Sequence, residues 1–399
     1  MTVNQASRAA RQERPSQVRP WLGVAAITAS LFVFLTTELM PVGLLTPISA
    51  GLGISVGTAG LMVTLMGVSA GLGVPFIVAW TRRVNRRTLL AALLVVLTLG
   101  NVITSVSANF PLVLTTRLVM GFASGTFWGI GVAMAMRLVP ERHASRAAAV
   151  VMSGISIGAV AGIPLGTTLE SLTDWRTTFL IWGGLSALVL VAVAVLIPSL
   201  PSDNAVSARE VFRLPLRNGP LRLVLTAVVL FVLGHFGAYT FVRPYLEEHA
   251  AATPLFVTIL LMAYGVGGAV GNLVAGPIVA RNARRGFIGG SAGLVASLLL
   301  LLTLGQTQAG AVVTLILWGV TFGIVQLSQV TMTQAAAPET FEAAMSLNTM
   351  AYNTSIALGA LVGGLFADGL GVTSVVWFGI ALTAGALLLV LSSRPATRA

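Results

Sequence analysis

Long apolar stretches, each about 20 residues, follow one another along nearly the whole chain with short polar connections between them. In lipid, every backbone N–H and C=O group must be hydrogen-bonded within its own segment, so such a stretch becomes a helix. A helix of about 20 residues crosses about 30 Å of hydrocarbon. The pattern predicts twelve membrane-spanning helices at 21–47, 57–80, 88–107, 111–137, 145–167, 177–198, 221–245, 255–280, 286–304, 310–335, 342–366 and 372–392.

The composition agrees with a membrane protein. Hydrophobic residues make up 56% of the chain and charged residues 9%, whereas soluble domains carry about 25% charged residues. The longest predicted connection, 199–220, is too short for a soluble domain, and no ATP-binding motif is present. The chain has no cysteine, which excludes disulfides and thiolate metal sites. We therefore expect an all-α membrane protein that carries no cofactor and no metal.

The arginines fall almost entirely on alternate connections. The 23 basic residues other than histidine are all arginine, and most of them lie on the side that holds both chain ends. Because basic residues accumulate on the cytoplasmic side, both termini are predicted to be cytoplasmic. The net charge of +11 is then explained by contact with anionic lipid headgroups, and no nucleic-acid partner is expected.

The chain repeats itself at about half its length. Ile77-Val78-Ala79 recurs as Ile278-Val279-Ala280, and Gly158 and Gly162 recur as Gly359 and Gly363, each with an offset of 201 residues. Repeats of six helices are typical of secondary transporters. We predict a tail at 1–20, a six-helix half at 21–198, a linker at 199–220, a second half at 221–392 and a tail at 393–399.

Four segments carry a more specific signal: 36–45 (TTELMPVGLL), 85–90 (NRRTLL), 136–140 (MRLVP, with Arg117 upstream) and Trp175-Arg176. Together they resemble the major facilitator superfamily in its drug/proton-antiporter-type efflux branch, and within it bacterial sugar (arabinose-type) and purine ribonucleoside efflux transporters. The sequence departs from that pattern at 81–82, where an aspartate is usual, and at 162–166, which reads GIPLG.

The resemblance implies a major facilitator fold of twelve transmembrane helices whose cavity is lined by the first, fourth, seventh and tenth spans. It also implies a cytoplasmic gate loop after the second span, with Arg82, Arg83, Arg86 and Arg87. The fifth span would hold an antiporter-motif-like segment, with Gly158, Gly162, Pro164 and Gly166.

Three ionisable side chains stand out because they lie well inside predicted spans: Glu38, Arg117 and His235. Such a side chain costs about 2.5–3.5 kcal/mol on the insertion scale, so it usually faces a cavity or a partner. All three are candidates for proton coupling. The alternatives are a permanent Glu38–Arg117 ion pair that only joins two helices, and a His235 that is hydrogen-bonded to neighbouring backbone.

His235 also begins a series with a spacing of four. His235, Tyr239, Arg243 and Glu247 would share one face of a continuous helix. A histidine changes its charge near neutral pH in water, which suits coupling to protons or hydrogen bonding to a substrate. Arg243 and Glu247 lie nearer the outer surface and are predicted to form a gate or a simple surface pair.

Neutral polar and aromatic side chains occupy several spans. Amides and aromatic rings suit hydroxyl-rich rings or purines, although some of these amides will instead bridge helices. The candidates for the substrate cavity are Trp128, Tyr239, Gln326, Gln329, Tyr352 and Asn353.

These features predict a secondary transporter that exports a small neutral solute, sugar-like or nucleoside-like, in exchange for protons. The alternative is a multidrug or antibiotic efflux antiporter, and import also stays open because a fold does not fix direction. An enzyme or a sensor is unsupported: the G-x-S-x-G sequence at 67–71 lies within a span. The expected partners are the solute, protons and lipid, for a monomer in the bacterial inner membrane.

Overall fold

The computed structural model describes residues 18–80, 84–200 and 214–393, and all regular secondary structure in these ranges is helical. The greater part of both predicted tails and of the linker, with Arg82 and Arg83, lies outside the described residues.

The first half contains six long helices, and the second contains a further six that differ more from the prediction. The first six are α1 (Val18–Leu52), α2 (Val56–Trp80), α3 (Arg86–Val106), α4 (Phe110–Leu138), α5 (Ala144–Leu172) and α6 (Trp175–Leu196). The second six are α7 (Gly219–Thr240), α8 (Val242–His249), α9 (Pro254–Thr303), α10 (Gln308–Ala336), α11 (Phe341–Leu370) and α12 (Val372–Ser392). Short 3₁₀ turns at Glu141–His143 and Pro338–Thr340 precede α5 and α11.

Polar residues placed directly before the helices fix several of these starts. A free backbone N–H of the first turn is satisfied by a side-chain oxygen of the preceding residue. Asn109 accepts from the N–H of Leu112, Asn218 from that of Leu221, and Thr253 from that of Phe256. The caps therefore separate one apolar helix from the next where hydrophobicity alone changes little.

One predicted span is divided in the structure, and the two that follow it are joined through a kink. The predicted helix at 221–245 is divided at Phe241, where φ is −105° and ψ is 17°, into α7 and the eight-residue α8. Pro244 explains the break, because it has no N–H to donate to the carbonyl of Thr240. The predicted helices at 255–280 and 286–304 both lie within α9, where they meet at a kink with extended backbone at Asn282 (φ −163°, ψ 98°), between the two predicted ranges.

Nine helices among the described residues are long and apolar enough to cross a membrane. α9 is one of the nine, and its 50 residues comprise two helices that meet at the kink at Asn282, each long enough to cross about 30 Å of hydrocarbon. Large apolar side chains are exposed on the outside of the bundle, including Leu172, Leu188 and Leu273. This surface is the one that lipid covers.

The two halves repeat the same helix contacts through small residues. In the first half, Gly121 and Gly125 of α4 lie against the backbone of α2. In the second half, Gly319 and Gly323 of α10 lie against the backbone of α9. Glycine lets two helix backbones approach this closely in lipid, and a methyl group at any of these four positions would collide with a carbonyl oxygen.

An arginine binds the last carbonyl groups of a helix at equivalent places in the two halves. Arg87, at the start of α3, donates to the carbonyl of Ala194 near the end of α6. Arg284, after the break in α9, donates to the carbonyls of Val390 and Ser393 at the end of α12, at 2.8 and 2.6 Å. Each arginine thereby satisfies carbonyl groups that a helix end leaves free.

The halves meet along two pairs of helices, α2 with α11 and α5 with α9. Gly57 of α2 lies against Gly364 of α11, and Gly265 of α9 lies against Val160 of α5. Thr258 of α9 donates a hydrogen bond of 2.8 Å to the hydroxyl of Thr167 in α5. Small residues thus form part of the contact between the two halves.

Candidate functional site

Glu38 lies in the middle of α1 and is 5% exposed. Its Oε2 accepts a hydrogen bond of 2.9 Å from the Ser124 hydroxyl of α4, and the Trp128 side chain is a further hydrogen-bond partner of the carboxylate. Ser124, Trp128 and Glu38 therefore form a small polar group between α1 and α4, inside the first half.

Arg117 is fully buried, but it does not pair with Glu38. Its Nη1 donates to the backbone carbonyl of Thr37 at 3.0 Å, and its guanidinium lies 4.8 Å above the Phe179 ring. Nε and Nη2 have no hydrogen-bond partner. The predicted alternative of a Glu38–Arg117 ion pair is therefore wrong. The guanidinium binds the peptide carbonyl next to Glu38, and the carboxylate has no ion pair among the described residues.

The antiporter-motif-like segment of α5 packs beside this site. A methyl group at Gly162 would lie 2.7 Å from the Thr36 hydroxyl, and one at Gly166 would lie 2.6 Å from Cγ of Met40. Gly158 faces Leu35 in the same way, and Pro164 lies inside the helix between them. These residues bring α5 against the turns of α1 on both sides of Glu38.

The second half contributes a chain of amides and a phenol. Gln326 of α10 donates through Nε2 to the Tyr352 hydroxyl of α11 at 2.7 Å, and Gln329 donates to Gln326 at 3.5 Å. Tyr352 lies within electrostatic range of Glu38. Trp128, Gln326 and Tyr352 are each half-buried.

Two other cavity candidates lie deeper than expected. Asn353 is 8% exposed on the part of α11 that faces Gly67 of α2, so it belongs to the contact between the halves. Tyr239 is 3% exposed, and its ring stacks on Tyr264 with the ring centroids 4.4 Å apart.

His235 is fully buried in α7 and bonded to side chains rather than to backbone. Trp318 of α10 donates its indole N–H to Nδ1 at 3.0 Å, and the Tyr264 hydroxyl of α9 lies 3.1 Å from Nε2. Phe322 stacks on the imidazole with the centroids 4.0 Å apart. The histidine therefore joins three helices of the second half.

The predicted series from His235 to Glu247 is divided by the break at Phe241, and the two members beyond it form a different group. Arg243 is 3% exposed and donates to Glu247 at 2.8 Å, to Glu170 of α5 at 3.0 Å and to the carbonyl of Gly43 in α1 at 2.5 Å. Thr46 of α1 donates to the other oxygen of Glu247 at 2.5 Å. These five residues, named here the outer latch, join the halves at the end predicted to be extracellular.

A second contact closes the same end. Asp368, near the end of α11, accepts from the Ser55 hydroxyl at 2.5 Å and from the Gly57 N–H at 2.9 Å. Both donors belong to the start of α2 or the turn before it. Together with the outer latch, this contact holds the predicted extracellular end shut in the described conformation.

The gate-loop arginines that are described bind only within their own half. Arg87 caps α6, as noted above, and the N–H of Arg86 donates to the carbonyl of Leu200 at 3.0 Å. The described part of this loop thus supports α6 and does not reach the second half.

Asp174 caps α6 at the predicted extracellular end. Its Oδ1 accepts from the N–H groups of Arg176 and Thr177, and its Oδ2 accepts from the Thr177 hydroxyl at 2.7 Å. The side-chain hydrogen bond from Thr177 is the largest cause that holds the pKa of Asp174 below its usual value.

Several site residues were not identified from the sequence: Ser124, Glu170, Trp318 and Asp368. Ser124 had a usable signal, since it follows Arg117 by seven residues and so lies on the same face of α4. Glu170 and Asp368 had none, because their partners come from the other half. No group of three His, Asp or Glu side chains that could hold a metal occurs among the described residues.

Comparison with known proteins places this arrangement in a family. The family model described as "Major Facilitator Superfamily" matches residues 25–343, more than half of the chain. A bacterial homologue of the human lysosomal transporter Spinster, solved inward-facing and unoccupied, has a TM-score of 0.70 at 14% identity and covers 95% of each chain. A point mutant of the nucleoside transporter NupG has a TM-score of 0.71 at 14% identity, over 92% of this chain and 98% of its own. The chain belongs to the Major Facilitator Superfamily and is a multi-pass membrane transporter, not an enzyme.

Proposed function

We propose that this transporter exports a small neutral solute of the sugar or nucleoside type in exchange for protons, across a bacterial inner membrane and as a monomer. The observation that carries the proposal is Glu38. This carboxylate lies inside the bundle, is hydrogen-bonded to Ser124 and has no cationic partner among the described residues. A carboxylate without an ion pair can bind and release a proton when access changes from one side to the other.

The amides of the second half support the solute class. Gln326, Gln329 and Tyr352 form a connected polar strip, and no described cation accompanies them. A strip of this kind suits hydroxyl and ring-nitrogen groups better than a phosphate or an organic acid, which would need an arginine or a helix N-terminus. The nucleoside named for one structural relative is consistent with this class.

Twelve spans with both termini in the cytoplasm account for the described helices. In this proposal α7 and α8 together count as one span, and α9 counts as two that meet at Asn282. The halves 21–198 and 221–392 then rock about a central site, a motion typical of transporters built from repeats. The outer latch would be the extracellular gate, which opens as the cytoplasmic end closes.

Everted membrane vesicles test the proposal directly. With an acidic lumen, they should accumulate a labelled pentose or nucleoside, and a protonophore should abolish the accumulation. Glu38→Gln should remove gradient-driven uptake but keep exchange of labelled for unlabelled solute. Glu339→Gln, an exposed carboxylate beside α11, is the matched control and should behave as the native protein.

Four outcomes would contradict the proposal. Uptake that does not depend on the pH gradient would exclude antiport. Accumulation only with an alkaline lumen would indicate that solute and protons move together, which in the cell means import. Uptake of an amphipathic antibiotic without sugar or nucleoside transport would favour multidrug efflux. Unchanged gradient-driven transport in Glu38→Gln would remove Glu38 as the proton carrier.

A further inference from the structure

Both ring nitrogens of His235 are occupied, and one of the two partners leaves no choice of hydrogen-bond direction. The indole nitrogen of Trp318 can only donate, so Nδ1 of His235 must accept and cannot carry a hydrogen. A neutral imidazole carries its hydrogen on the other nitrogen. The hydrogen therefore lies on Nε2 and is donated to the hydroxyl oxygen of Tyr264.

The described surroundings of the imidazole supply no acidic partner for a positive charge. Its ring neighbours come from α7, α9 and α10, and the only titratable groups among them are phenols. The six ring neighbours are Phe231, Phe236, Tyr239, Tyr264, Trp318 and Phe322. No described carboxylate or arginine forms a hydrogen bond or an ion pair with His235, and its exposed fraction is zero.

Protonation of this histidine would also place two donors against each other. A hydrogen on Nδ1 would point at the indole N–H of Trp318, 3.0 Å away, and the bond between them would be lost. The indole N–H would then be left buried without an acceptor, which is unfavourable. The cost of a buried charge with no partner would be added to this.

We infer that His235 is permanently neutral in its Nε2–H form and acts as a positioning residue for the Tyr264 hydroxyl, rather than as a proton carrier. Because the Tyr264 oxygen accepts from His235, the hydroxyl hydrogen is left to donate elsewhere. Tyr264 stacks on Tyr239, and Phe236 contacts both Tyr239 and Tyr352, the phenol of the polar strip. The Tyr264 hydroxyl can therefore donate a hydrogen bond to a solute that carries an acceptor oxygen or nitrogen.

Nitrogen NMR of the full-length protein in lipid tests the tautomer without any transport assay. The chain has three histidines, so ¹⁵N-histidine labelling gives few signals, and His143→Asn and His249→Asn identify the other two. The His235 signals should show one protonated and one unprotonated nitrogen, with the hydrogen on Nε2, at every pH from about 5 to 8. A doubly protonated ring in that range, or a hydrogen on Nδ1, would overturn the inference.

Trp318→Phe separates the role of the indole from that of burial. Phenylalanine keeps the ring but removes the donor, so the Nδ1–H form should become populated in this variant. An unchanged spectrum would show that Trp318 does not set the tautomer. The measurement on the native protein decides the inference even if this variant fails to fold.

Transport assays then distinguish positioning from proton carriage. In His235→Gln, the number of protons moved per solute should equal that of the native protein, although uptake itself is slower. Tyr264→Phe should weaken the apparent affinity for the solute by about fivefold, the factor that one neutral hydrogen bond represents. Loss of proton coupling in His235→Gln would overturn the inference. If no solute were transported at all, the proposed function would fail while the NMR result still stood.

Discussion

The Arg117 guanidinium donates to the carbonyl of Thr37, the residue that directly precedes Glu38, rather than to the Glu38 carboxylate. The arginine thus fixes the backbone of α1 at the proposed proton site while the carboxylate stays free of an ion pair. Two of the three guanidinium nitrogens remain without hydrogen-bond partners in a fully buried position.

We expect Arg117→Met to make the protein more stable and less active. Burying an uncompensated cation costs several kcal/mol, while one hydrogen bond from a charged group returns about 1.5–3 kcal/mol and the contact with Phe179 up to about 2 kcal/mol. Removal of the charge should therefore stabilise the fold by about 1 kcal/mol or more. Thermal unfolding in detergent measures this change, and vesicle uptake should be largely lost.

Arg117→Lys is the control, because it keeps the buried charge. It should gain no stability, and a melting temperature of Arg117→Met below that of the native protein would contradict the argument.

The outer latch predicts which arginine controls extracellular access. Arg243→Gln removes the charge that pairs with Glu170 across the halves and with Glu247 in the same helix, so the predicted extracellular end should open more often. Since the chain has no native cysteine, a single Val42→Cys gives a clean reporter, and residue 42 is fully buried between the halves. A membrane-impermeant maleimide added outside should label it several-fold faster in the Arg243→Gln background.

Arg176→Gln is the matched control for the latch. Arg176 also lies at the predicted extracellular end, but it donates to the carbonyl of Ser107 within its own half. Its removal should leave the labelling of residue 42 unchanged. Equal labelling in both arginine variants would show that the latch does not hold the halves together.

Much of the fold could be predicted from the sequence because hydrophobicity is a local property. Each apolar run formed a helix, and Glu38, Arg117 and His235 were all found buried inside the bundle. The division of the predicted span 221–245 into α7 and α8 also had a local signal, because Pro244 cannot donate a hydrogen bond to the carbonyl of Thr240. The break at Asn282 in α9 falls within 281–285, where the sequence places the connection between two spans, but it is shorter than predicted.

The partners of the site residues could not be predicted. Spacing along a helix shows which side chains share a face, but not which helix lies opposite that face. Arg243 and Glu247 were predicted as a gate or as a surface pair. The bond from Arg243 to Glu170, more than 70 residues away in the other half, favours the gate, and the spacing of the sequence could not reveal it. Trp318 likewise determines the hydrogen-bond state of His235 from another helix.

A crosslink between α5 and α9 should stop transport reversibly. The Thr167 and Thr258 hydroxyls lie 2.8 Å apart across the halves, so cysteines at both positions should be within reach of a disulfide. Oxidation of Thr167→Cys/Thr258→Cys should abolish uptake, and a reductant should restore it. Each single cysteine variant is the control and should be unaffected by the oxidant. Full uptake in the crosslinked protein would show that the halves need not separate along this contact.

Asp174 predicts how the stability of α6 depends on pH. Its pKa is lowered in the folded protein, chiefly by the hydrogen bond from Thr177, so the carboxylate form is favoured by folding. The contribution of the cap is therefore fully present above the unfolded pKa of about 3.9 and is lost as the pH falls through the lower folded value. At neutral pH, Asp174→Ala should destabilise the protein by about 1 kcal/mol, as expected for the loss of an N-terminal helix cap.

The difference in stability between the native protein and Asp174→Ala should shrink below about pH 4, which denaturant unfolding at a series of pH values measures. A difference that grows on acidification would show that the protonated side chain, not the carboxylate, is the better cap. Thr177→Val, which removes only the hydroxyl donor, should retain part of the pH dependence because the two backbone N–H groups still bind the carboxylate.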